Sequence, residues 1–167
     1  LATYLGHDLE PAQVWAANGS NEVLQHLLMG FGGPGRTALG FTPAYSMHPI
    51  ISQCTGTAWV DGRRVSGSDE HAPFQLTPEL AVSQVREHDP DLVFLCSPNN
   101  PTGTALDLEV VAEVYRAAHG MVVVDEAYAE FARPGTLSAL TLLADHPRLV
   151  VTRTMSKAFA FAGGRLG

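Results

Sequence analysis

Two kinds of hydrophobic pattern alternate along the chain: short continuous apolar runs, and longer stretches whose apolar positions return every three or four residues. The first kind is the mark of a buried strand and the second of an amphipathic helix. Val23, Leu24, Leu27 and Leu28 fall on one helical face, and Ser20 and Asn21 stand where a cap belongs. A strand is expected over 37–41. Pro43 then interrupts regular structure, and a short helix over 49–53 and a strand over 57–60 follow. The polar, glycine-containing stretch 61–73 reads as a surface loop. Thr77, with Pro78 at the first helical position, starts a helix that runs to about His88. A buried strand is expected over 92–96, and then a helix capped by Asp107 that reaches Ala118 and is ended by Gly120. The apolar runs 121–124 and 149–152 supply the last two strands. This alternation predicts an α/β fold with a mainly parallel sheet flanked by helices.

Ligands of open α/β sheets sit beyond the carboxyl ends of the strands. The polar residues that directly follow each apolar run are therefore the ones to inspect. Three stretches qualify: Ser97-Pro98-Asn99-Asn100-Pro101-Thr102-Gly103, Asp125-Glu126-Ala127-Tyr128 and Thr154-Met155-Ser156-Lys157. All three are expected to open onto one crevice.

Composition narrows the partner. With 167 residues, 46% of them hydrophobic, the chain can bury the core of a single domain. A formal charge of −7 and scattered arginines argue against nucleic acid, and no apolar run approaches a membrane span. Cys54 and Cys96 are too few for a disulfide framework or a zinc site, so no metal is expected and a reducing cytoplasm is the default location. Small-molecule chemistry remains. Nine of the ten cations are arginine, and Lys157 is the only lysine. Arginine can replace lysine as a plain positive charge, but not where a deprotonatable primary amine must form a Schiff base.

These residues match the demands of pyridoxal 5'-phosphate, which needs an amine, an anion for its pyridine nitrogen, donors for its ring oxygen and a phosphate site. Lys157 supplies the amine and can carry a proton once released. Asp125, held after an apolar strand, would keep the pyridine nitrogen protonated. Asn100 and Tyr128 are donors for the ring oxygen. Gly19, Ser20 and Asn21 open a helix whose unpaired amides suit a phosphate, with Thr154 and Arg165 able to add a hydroxyl and a bidentate cation. Tyr45 is placed to stack on the ring. Each has a plainer alternative when taken alone: Asp125 as a helix cap or loop carboxylate, Asn100 as a turn residue, Tyr128 and Tyr45 as packing.

Taken in order, Asn100-Pro101-Thr102-Gly103, Asp125 with Tyr128, and Thr154 with Ser156, Lys157 and Arg165 resemble the cofactor site of the fold-type I aminotransferases. Within that group, 17–22, 31–36, Tyr45-Ser46-Met47-His48-Pro49 and 153–165 resemble histidinol-phosphate aminotransferases. The resemblance implies a homodimer that moves an amino group between histidinol phosphate and 2-oxoglutarate (or glutamate) in histidine biosynthesis. It also implies that Lys157, Asp125 and Tyr128 are catalytic. It covers this whole chain but only the central half of such an enzyme. The start at Leu1 and stop at Gly167 accordingly suggest a fragment of the large domain, 1–167, without the N-terminal arm or the C-terminal small domain, and inactive alone. Two other readings share these residues: a decarboxylase of a phosphorylated amino acid, and a noncatalytic cofactor-binding fragment. A dinucleotide-binding domain fits less well, since no Gly-x-Gly-x-x-Gly pattern follows a strand.

Overall fold

A computed structural model describes residues 1–69 and 73–167. Five strands, β1 (Thr37–Thr42), β2 (Ala58–Arg63), β3 (Leu92–Cys96), β4 (Met121–Asp125) and β5 (Leu149–Thr152), form one sheet in the order β2-β1-β3-β4-β5. Every pairing is parallel. Among the helices are α1 (Ala2–Leu5), α2 (Ser20–Phe31), α3 (Met47–Cys54), α4 (Pro78–His88) and α5 (Leu108–Ala117), with 3-10 segments at Pro11–Gln13, Ala129–Phe131, Ala139–Asp145 and Ala162–Gly164.

Strand alternation divides the core in two. Val93, Leu95, Val122 and Val124 point to the face covered by α4 and α5, where they pack with Ala81, Val85, Val110, Val111 and Val114. Leu92, Phe94 and Val123 point to the other face, against Leu24 and Leu28 of α2 and Ile51 of α3. β3 is buried along its whole length because both of its faces are covered. The same alternation sends Asp125, two residues after Val123, to the face shared with α2 and α3, and sends Glu126 to the opposite one.

Three local expectations are corrected. The N-cap of α2 is Gly19, with no side-chain cap, so Ser20 and Asn21 are the first helical residues and leave the first-turn amides uncapped. Asp107 stands at the N-cap of α5 but makes no capping hydrogen bond through its side chain. Gly120 does not end that helix: its C-cap is Ala118. Glycine is required at position 120 by a close approach, since a Cβ there would lie 1.9 Å from the Asp91 carbonyl oxygen. In addition, β2 runs on to Arg63 inside the stretch read as a loop, and α3 begins at Met47, before Pro49. Positions 70–72 of that expected loop lie outside the described residues. Thr77 caps α4 as expected, accepting from the Leu80 N–H.

Candidate active site

The strand order reverses between β1 and β3, and beyond the carboxyl ends of β3, β4 and β5 the loops enclose a cavity of about 210 Å³. Its lining contains all ten residues picked out from the sequence: Gly19, Ser20, Asn21, Tyr45, Asn100, Asp125, Tyr128, Thr154, Lys157 and Arg165. Residues more than a hundred positions apart thus meet in one place. Cys96, Ala127, Ser156 and Ala162 complete the wall.

Asp125 lies at the floor, 2% exposed. Its Oδ2 accepts from Nε2 of His48 at 2.9 Å, and its Oδ1 accepts from the Ala127 N–H at 3.1 Å and from the Thr152 hydroxyl at 3.3 Å. A carboxylate only accepts, so the proton of this contact belongs to His48 Nε2. His48 is itself 2% exposed, tilted against Phe94 with ring centroids 5.1 Å apart and edge-on to Tyr45 at 5.4 Å. Asp125 therefore cannot swing, and its position is set by three elements at once.

Cys96 pairs in register with Asp125 on the neighbouring strand. Burial pushes its thiol up to about 12, and the Asp125 charge adds to the effect. The thiol is a neutral, unreactive part of the wall. Lys157 stands opposite, exposed, its Nζ 5.5 Å from the centroid of the Tyr128 ring.

The other end of the cavity is built for an anion. The uncapped amino end of α2 presents Ser20 and Asn21, and Arg165 reaches over it from a residue in the left-handed region, donating to the Asn18 carbonyl at 3.2 Å. Glycine is favoured at position 19 by its φ of +80°, and a Cβ there would stand 2.5 Å from Nη2 of Arg165 and displace that guanidinium. Thr154 is buried and accepts from the Ser156 N–H, leaving its own hydroxyl proton free to donate. Tyr45 closes one side through a long hydrogen bond to Asn21 at 3.4 Å.

Sequence reasoning missed His48, Thr152, Asn99 and the pair Glu126 with Arg153. Arg153 donates to Glu126 at 2.9 Å and also reaches Glu130, and Glu126 further accepts from Ser138 and the Ala139 N–H. This network lies on the face away from Asp125 and ties the end of β4 to the end of β5. The only signal for His48 was its place inside the stretch 45–49, since helical periodicity alone marks it as core.

Fold and cavity together define a class. Residues 1–167 match the family described as aminotransferase class I and II, and the chain belongs to that family. It is 60% identical over 167 residues to the histidinol-phosphate aminotransferase of Thermobifida fusca, covering 100% of this chain and 44% of that protein. The chain thus spans less than half the length of such a relative. The crystal structure of the histidinol-phosphate aminotransferase from Clostridium acetobutylicum superposes with a TM-score of 0.77 at 26% identity, over 93% of this chain and 44% of that one. The Sinorhizobium meliloti histidinol-phosphate aminotransferase, solved in complex with pyridoxal-5'-phosphate, shares the fold with a TM-score of 0.80 at 24% identity, over 94% and 41% of the two chains.

Proposed function

We propose that this chain is the cofactor-binding large-domain portion of a pyridoxal-phosphate-dependent aminotransferase that moves an amino group between histidinol phosphate and 2-oxoglutarate. The observation that carries the reading is the meeting of these ten residues, scattered along the sequence, in one cavity. The donor set fits the cofactor. A glycine cradle under Arg165 and the amino end of α2 suit a phosphate, a buried carboxylate lies at the floor, and the single lysine lies at the wall. When bound, the cofactor supplies a carbon that takes up the amino group and a ring that accepts electrons.

The chain's own residues do the rest. Lys157 would hold the cofactor through Nζ, an amine that can also carry a proton. Asp125 would keep the ring nitrogen protonated, and His48 and Thr152 keep the carboxylate aimed. Asn100 and Tyr128 would donate to the ring oxygen and favour its anionic form. Ser20 and Asn21 amides, the Thr154 hydroxyl and Arg165 would bind the phosphate, and Tyr45 would cover a ring face. Identity of 60% to a named histidinol-phosphate aminotransferase supports the substrate pair. The exposed Tyr4, Trp15, Phe159 and Phe161 support a homodimer, and the two free cysteines support a cytoplasmic location. No helix of the described residues is long and apolar enough to cross a membrane.

The test is an assay of the complete protein with pyridoxal phosphate, histidinol phosphate and 2-oxoglutarate. Glutamate is expected to form one for one as histidinol phosphate is consumed. Release of carbon dioxide from a phosphorylated amino acid, without glutamate, would transfer the assignment to a decarboxylase.

A further inference from the structure

Arg64 is 7% exposed, and its three hydrogen bonds among the described residues all go to neutral oxygens. Burial pushes its pKa below the usual arginine value. Burying a guanidinium is costly unless its donors are satisfied, and arginine brings a rigid fork of donors that one ammonium group cannot imitate. Here the fork reaches three separate segments. Nε donates to the Phe41 carbonyl in β1 at 3.0 Å, Nη1 makes a long contact to the Phe74 carbonyl at 3.4 Å, and Nη2 donates to Oδ1 of Asn99 at 3.1 Å.

Asn99 passes the restraint on. Its amide nitrogen donates to the Pro43 carbonyl at 3.0 Å and to the Thr102 hydroxyl at 2.8 Å, and its backbone accepts from Gly103 and donates to Thr104. The side chain is 3% exposed, so these bonds have little competition from water. The next residue is Asn100, in the cavity wall, and two residues after Pro43 comes Tyr45, in the wall on the other side. One guanidinium therefore fastens both wall segments.

We infer that Arg64 is a positioning residue that sets the aim of Asn100 into the cavity through the Asn99 turn. The inference rests on the reading of the cavity as a pyridoxal-phosphate site with Asn100 as donor to the ring oxygen.

The experiment follows the visible absorbance of the cofactor-loaded complete enzyme as a function of pH, without substrate. Loss of a donor to the ring oxygen raises the midpoint of that titration, so Asn100→Ala is expected to raise it by about one pH unit or more. Arg64→Gln is expected to raise the midpoint in the same direction, and Arg64→Lys to restore it only in part. The double variant Arg64→Gln with Asn100→Ala is expected to match Asn100→Ala alone, because Arg64 acts through Asn100. An unchanged midpoint in Arg64→Gln, or a full additive rise in the double variant, would overturn the inference. If Arg64→Gln does not accumulate as folded protein, Asn99→Ala makes the same comparison, since it cuts the link and leaves the guanidinium in place. A wild-type enzyme with no visible band or titration would instead remove the cofactor reading, and the role of Arg64 with it.

Discussion

Asp125 acquires its character from residues far from it in sequence. His48, 77 positions earlier, and Thr152, 27 positions later, fix both of its oxygens. Replacing Asp125 by asparagine keeps the shape and removes the charge. In the complete enzyme at saturating cofactor, Asp125→Asn is expected to lose about 3 kcal/mol of transition-state stabilisation, a drop in kcat/KM on the order of a hundredfold. Near-normal turnover of that variant would refute the role given to the carboxylate. The two cysteines offer a second test at this scale. With its pKa raised to about 12, the Cys96 thiol is ionised at pH 8 in on the order of one molecule in ten thousand, whereas Cys54 is exposed. Iodoacetamide at pH 8 followed by peptide mapping is expected to label Cys54 and to leave Cys96 unmodified; rapid labelling of Cys96 in the folded protein would contradict the buried position of that thiol.

At the scale of elements, the strands were legible because an apolar run bounded by polar residues has few other uses. Leu92–Cys96 and Leu149–Thr152 occur where the pattern places them. Caps were less legible, since Ser20, Asn21 and Asp107 have the right chemistry for capping yet do not bond through their side chains to the helix starts. At α2 that failure is informative: uncapped amides beside Arg165 are free for an anion. Gly120 was misread for a related reason, because sequence shows that a glycine is present but not which neighbour demands it. The Asp91 carbonyl, 1.9 Å from where a Cβ would stand, is rigid backbone that leads into β3 and also accepts from the Met121 N–H. Gly120→Ala is thus expected to destabilise the fold by at least about 2 kcal/mol, the scale of forced overpacking. Urea denaturation should show a lowered midpoint, and an unchanged midpoint would mean that the β3 and β4 approach is looser than described.

For the whole molecule, parallel topology does what no single segment can. Each βα unit delivers its polar tail to the same edge of the sheet, so Asn100, Asp125 and Lys157, read as three separate tails, converge on one cavity. That convergence was expected from the sequence, because it follows from strand direction alone. The contacts of His48, Asn99 and Arg64 were not, because they join elements across the sheet order, and a pattern along the chain reports only which face of its own element a residue occupies. The central claim is that this convergence builds a pyridoxal-phosphate site around the only lysine of the chain. The most direct measurement loads the complete protein with pyridoxal phosphate, reduces it with borohydride and maps the labelled peptide. The account predicts a stable pyridoxyl group on Lys157, with none at that position in Lys157→Arg; a label found only elsewhere, or none at all, would contradict it.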